Sequence, residues 1–259
     1  MSKVLITSGC SFSECISTDP VTWPRHLYRT LEQCGFDKHI SAAMGSQGNG
    51  LISRGVIYNV VKALETYEPE NILVGVMWSG SNRHDYRCRD VTDLSFVKNK
   101  IHNGWIENPT NFVPDGDKNW VILNINWTET KNVEAETYYR MFHDEMGSAI
   151  YSLEHINRTQ DFLQRNNIKY FFTDYVNGNL ILDHHVGNPE VDYLYKLIDK
   201  SKYLPVMSEF DWLVKNTAFS HLWKDKSHRY WEHPTTEMHK EFVDQVIYPF
   251  LLQNNYIIV

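Results

Sequence analysis

The apolar residues of this chain fall into short blocks, and the first three blocks repeat one device. Val4, Leu5 and Ile6 form an apolar run that stops at Gly9. Residues 4–7 therefore predict a buried strand followed by a tight turn. Trp23, Leu27 and Leu31 recur at helical spacing, which predicts a helix over 24–34 with Gly35 just past its end. Residues 39–43 predict a second strand, and a Gly-Ser-Gln-Gly-Asn-Gly turn follows it at 45–50. Ile52, Val56, Val60 and Leu64 share one face of a predicted helix over 51–64. Residues 71–78 are almost continuously apolar, the pattern of a strand covered on both faces. Strand, helix, strand, helix, strand predicts parallel strands joined by right-handed crossovers. It also sets the turns after Thr7, Ala43 and Trp78 on one edge of the sheet, where open α/β sheets gather their ligands.

Beyond that point the rhythm breaks. Residues 84–133 are rich in Asn, Asp, Gly and Pro, with one apolar run at 120–127. They read as an insertion folding over the active edge. Residues 134–166 carry a helical pattern in which Gly147 is a candidate kink, and 169–175 predict a fourth strand. Residues 177–189 read as loop, 190–200 as a short helix, and 206–217 fit neither template. Residues 235–250 predict a last helix with Thr235 as its N-cap. The whole chain, 1–259, reads as one α/β domain with an insertion at about 84–133.

Composition narrows the function classes. Apolar residues make up 42% and charged residues 22%, as in ordinary globular proteins. The formal net charge is −7 and no Lys/Arg block stands out, which disfavours a nucleic-acid partner. The four cysteines, Cys10, Cys15, Cys34 and Cys88, include no Cys-x-x-Cys pair, so a zinc ribbon or dithiol motif is not expected. No window approaches the ~18–20 apolar residues of a membrane span, and the N-terminus does not read as a signal peptide. A cytoplasmic protein with no membrane partner is the expectation.

The candidate chemistry sits in the turns. Ser11 follows strand one, Gly45 and Gly48 follow strand two, and Asn82 follows strand three. His233 stands in Trp-Glu-His-Pro just before the last helix. A serine nucleophile needs a base for its proton and donors for the oxyanion. Imidazole is the usual base near neutral pH, while glycine N–H groups and a side-chain amide serve as donors. A Cys10 nucleophile is disfavoured because its side chain should point away from Ser11. The cluster His228, Glu232, His233, Glu237 and His239 lacks the His-Glu-x-x-His spacing of a metal site.

These blocks, in this order, resemble those of the SGNH (GDSL-like) hydrolase superfamily. Gly9-Cys10-Ser11-Phe12-Ser13 resembles the first block, Gly-Asp-Ser-x-Ser, with Cys10 in the aspartate position. Gly45 to Asn49 is similar to the second block. Gly80-Ser81-Asn82-Arg83 resembles Gly-x-Asn-Asp, with Arg83 in the last place, and His233-Pro234 resembles the last block. The Gly-Cys-Ser-Phe-Ser start with Trp23-Pro24 is similar to small SGNH-type proteins of tailed phages. The resemblance implies a three-layer α/β/α fold with a flavodoxin-like, mostly parallel sheet of about five strands. It implies Ser11 as nucleophile, His233 as base, and the Ser11 N–H, a glycine N–H at Gly45 or Gly48 and the Asn82 amide as oxyanion donors. It implies no cofactor.

One position departs from the pattern. Tyr230 stands where the family places the aspartate that orients the histidine. Glu232, Asp225 or a backbone carbonyl is the candidate replacement, and a Ser-His dyad is the other solution. The expected activity is hydrolysis of a small acyl ester, with O-acetyl groups on carbohydrate as the candidate substrate. Trp105, Trp120 and Trp127 in the insertion would select it by stacking. The alternatives are an inactive SGNH-fold binding or virion-associated structural protein, favoured by Tyr230, and a metal-dependent hydrolase. The oligomeric state is not legible.

Overall fold

The computed structural model describes residues 2–14, 21–87, 89, 120–124, 133–176, 187–217 and 233–258. Its first half alternates strand and helix: β1 (Lys3–Ser8), α1 (Trp23–Leu31), β2 (Phe36–Ser41), α2 (Asn49–Ala63) and β3 (Ile72–Trp78). A hairpin of β4 (Arg83–Arg87) and β5 (Trp120–Asn124) follows, then α3 (Val133–Met141), α4 (Glu145–Arg165) and β6 (Lys169–Asp174). The last elements are α5 (Pro189–Lys196), α6 (Glu209–Asn216), α7 (Thr236–Phe242), a π-helical turn (Val243–Ile247) and α8 (Tyr248–Gln253).

The main sheet has the order β2-β1-β3-β6, and every pairing in it is parallel. Both of its faces are covered, which explains the continuous apolar runs. Val4 and Ile6, then Ile72, Val74, Val76 and Trp78, then Tyr170 and Phe172 point to one side, where Ile52, Val56, Leu153 and Ile156 of α2 and α4 meet them. Leu5, Leu73, Met77 and Phe171 point to the other, against Trp23 and Leu27 of α1 and Phe242 to Leu251 near the C-terminus. The result is the expected three-layer α/β/α arrangement.

The main sheet has four strands among the described residues, where about five were expected. Among the described residues after β6, the return to the sheet is one parallel bridge, Phe172 with Tyr203. Pro205 follows at once and has no N–H to extend a ladder. Gly147 does not kink a long helix either. The break lies at 142–144, where Asp144 caps α4 by accepting the Gly147 N–H at 2.7 Å. Residues 206–217, unreadable in sequence, contain helix α6, and Thr235 caps α7 as expected.

In this strand order the chain leaves β1 in opposite directions toward β2 and β3. The crevice of such a sheet lies at the C-terminal ends of β1 and β3. Ser11 follows the first of these ends and Asn82 the second.

Candidate functional site

Ser11 opens a short 3₁₀ turn (Ser11–Ser13) directly after β1. The turn is tight because Gly9 has no side chain: a Cβ there would collide with Ser13 Oγ. Ser13 is wholly buried, and its hydroxyl accepts the Trp23 Nε1 proton at 2.8 Å and faces Met77 Sδ at 3.5 Å. Ser11 is left half-buried at the sheet edge. Its Oγ lies 2.7 Å from Nε2 of the exposed His233, across 222 residues of sequence. His233 precedes buried Pro234 and the cap of α7, and its ring lies 5.4 Å from that of Phe12.

The three turns are laced together by two side-chain amides. Buried Gln47 donates Nε2 to the Gly9 carbonyl and, at 3.0 Å, to that of Ala42, tying the glycine turn to the serine turn. Buried Asn49 donates Nδ2 to Ser79 O at 3.0 Å and accepts the Ser79 N–H at 2.8 Å, tying the glycine turn to the third turn. Both amides replace water on backbone groups that the fold would otherwise bury unpaired.

The two glycines part company. Gly45 is beside Ser11: a Cβ built on it would lie 3.9 Å from Ser11 Cβ and 3.1 Å from Glu14 Oε2. The Glu14 carboxylate lies against Gly45; burial raises its pKa, and the facing Gly45 backbone lowers it again. Gly48 faces the other way. Its N–H donates to Asp85 Oδ1 at 2.6 Å, and a Cβ there would meet that oxygen at 2.8 Å. Asp85 is 3% exposed and also accepts the Leu51 N–H at 2.7 Å, so it holds the first turn of α2. Burial pushes its carboxyl up to about 6, against those two bonds and the charges of Arg54 and Arg83. Gly48 therefore leaves the expected set of oxyanion donors, because its one N–H is held in the protein interior.

Asn82 sits exposed in the turn after β3. Its carbonyl accepts Tyr139 Oη–H at 2.6 Å, and its Oδ1 lies 2.8 Å from where a Gly80 Cβ would be. The next residue, Arg83, donates to Ser79 Oγ at 2.8 Å and stacks 4.7 Å over the Tyr175 ring; nearby Cys10 and Tyr175 raise its pKa against the effect of burial. Cys10 is fully buried.

Glu232, Asp225 and Tyr230 lie outside the described residues, as do Trp105, Trp127 and His228. Trp120 is described and is no stacking platform: it is 9% exposed and packs with Ala42, Leu51 and Ile122 under the Arg54 guanidinium. Its strand register turns it inward, while His84, Tyr86 and Leu123 line a cavity of about 370 Å³ with Tyr138 and Phe142. His239 is wholly buried and paired with Glu209. Among the described residues there is no group of three or more His, Cys, Asp or Glu side chains placed to hold a metal ion. Among them, too, no helix is long and apolar enough to cross a membrane.

Sequence reasoning missed Glu14, Asp85 and Glu209. Asp85 gave a weak signal, as the acid in an alternating Arg-His-Asp-Tyr-Arg strand. The other two gave none.

No family model matches the chain, and no curated protein matches it in sequence. Among solved structures, "Crystal Structure of TesA" is similar at 10% identity and a TM-score of 0.45, over 96% of this chain and 98% of that one. A likeness of that size assigns neither activity nor substrate.

Proposed function

We propose that the protein is a serine esterase of the SGNH type that hydrolyses a small acyl ester through an acyl-enzyme on Ser11. The observation that carries this reading is the 2.7 Å contact of Ser11 Oγ with His233 Nε2 at the switch-point edge of the sheet. That is hydrogen-bond reach for a nucleophile and its base. His233 takes the Ser11 proton at Nε2 as Oγ attacks the ester carbonyl. The same nitrogen then returns the proton to the departing alkoxide, which leaves as alcohol. Water, deprotonated by His233, attacks the acyl-enzyme, and Ser11 regains its proton as the carboxylic acid is released. The Ser11 and Gly45 N–H groups and the Asn82 amide are the proposed donors to the oxyanion. The cavity behind β4 begins two residues beyond Asn82 and is the proposed seat for an apolar part of the substrate. O-acetylated carbohydrate is the candidate substrate class.

Steady-state hydrolysis of nitrophenyl acetate by wild type, Ser11→Ala and His233→Ala tests the reading. Turnover in the wild type that both substitutions abolish is the expected result. Equal turnover in all three would remove the pair from the chemistry.

One observation favours a second reading, a binding protein that keeps the fold without catalysis. The Glu14 carboxylate lies against Gly45 beside Ser11, which puts negative charge where an oxyanion would form. No turnover on any ester, together with no covalent capture of Ser11, would select it.

A further inference from the structure

Behind the Ser11–His233 contact lies a second histidine that the proposed chemistry does not use. His239 Nδ1 is 2.7 Å from Glu209 Oε1, and both side chains are 0% exposed. Glu209 is the first residue of α6, and the next residue donates its N–H to Tyr175 O at 3.0 Å, fixing that helix to the end of β6. His239 lies one helical turn after Thr235, whose carbonyl accepts its N–H at 3.0 Å. The pair thus joins α6 to the turn of α7 from which Pro234 and His233 project. Among the described residues, Glu209 Oε2 and His239 Nε2 have no hydrogen-bond partner.

Phe12 connects this pair to the surface. Its ring is edge-on to His239 at 6.3 Å, tilted against His233 at 5.4 Å and edge-on to Tyr175 at 5.4 Å. Phe12 is 6% exposed and follows Ser11 directly. One ring therefore touches both histidines and belongs to the same turn as the serine.

A buried polar pair is a poor way to gain stability, because desolvation offsets its attraction and apolar residues of like volume serve as well or better. What it supplies is direction, since a hydrogen bond fixes ring orientation where apolar packing does not. We propose that Glu209 and His239 are positioning residues: through Phe12 they hold the His233 imidazole over Ser11 Oγ. The inference rests on the reading of Ser11 and His233 as a working pair. It places the orienting device for that pair in the buried layer beneath it.

Three variants test it. Glu209→Gln keeps a hydrogen bond to His239. The double variant Glu209→Met/His239→Phe keeps volume and removes both polar groups, so it avoids an unpaired buried charge. Phe12→Leu removes the shared ring without touching the pair. The readouts are the imidazole ¹⁵N resonances of His233 and the split of kcat from KM on nitrophenyl acetate. Misplacement predicts about a 10- to 100-fold loss of kcat for the double variant and Phe12→Leu, with KM nearly unchanged. It also predicts displaced His233 resonances in both and neither effect in Glu209→Gln. Wild-type kcat and resonances in Phe12→Leu, or in a folded double variant, would overturn the proposal. Ser11→Ala separates the two claims without needing turnover. If it leaves the His233 resonances in place, the underlying pair fails. If it moves them and Phe12→Leu does not, only the positioning role fails.

Discussion

Asp85 Oδ1 accepts the Gly48 N–H at 2.6 Å, and this one bond latches the β4–β5 hairpin to the glycine turn beside Ser11. The carboxylate lies at the N-terminus of α2, where its charge opposes the positive end of the helix dipole. Burial nevertheless raises its pKa from 3.8 to about 6.

That shift has a definite consequence for stability. The folded state binds the Asp85 proton more tightly than the unfolded chain does, so the contribution is complete below about pH 4 and is lost as pH rises through about 6. Urea unfolding between pH 4 and pH 7 should lose up to about 3 kcal/mol from this group, by linkage over roughly two pKa units. Asp85→Asn should flatten that part of the slope. An unchanged slope would place Asp85 outside the linkage.

Much of this arrangement was legible because it follows from backbone periodicity. The apolar runs at β1, β3 and β6 gave a doubly covered parallel sheet, and the small polar residues after the first three strands marked the edge where Ser11 and Asn82 lie. Ser11 and His233 were legible because their neighbours, Gly9 and Pro234, mark turns. The proposed oxyanion donors were less so. Gly45 and Gly48 are equivalent in sequence, and only the side chains of Glu14 and Asp85, each in contact across a fold boundary, tell them apart. Glu209 was hidden for the same reason: its partner lies 30 residues away, on another helix. Trp120 was misjudged because strand register, unreadable across an insertion, turned it inward.

Glu14 should restrain the site. If the Gly45 N–H serves the oxyanion, the carboxylate must give it up. Glu14→Ala should therefore raise the rate of Ser11 acylation at pH 8, by up to about 100-fold given what a single oxyanion donor is worth. At a pH low enough to protonate the raised Glu14 carboxyl the gain should shrink. Stopped-flow measurement of the acylation burst checks both.

Cys10 and Arg83 stand where the blocks that this chain resembles carry Asp, and Cys10 is among the groups that act on the Arg83 guanidinium. Cys10→Asp should be tolerated because Arg83 supplies the counter-charge. In an Arg83→Met background the same change buries an unpaired carboxylate, at about 3–5 kcal/mol. A double-mutant cycle by chemical denaturation should give a coupling of about 2–3 kcal/mol. Additive effects would show the pair to be independent.

Ser13 separates fold from chemistry. Ser13→Ala removes the acceptor of the Trp23 indole N–H and should cost about 1–3 kcal/mol in thermal or urea unfolding. It should leave covalent labelling of Ser11 intact. Loss of labelling in a folded Ser13→Ala protein would mean that the serine turn does more than hold its shape.

The central claim is that Ser11 and His233 form a working nucleophile and base. The most direct measurement is intact-protein and peptide mass analysis after reaction with a fluorophosphonate. One adduct is expected, on Ser11, absent in Ser11→Ala and formed far more slowly in His233→Ala. An unlabelled wild type, or an adduct on another residue, would contradict it.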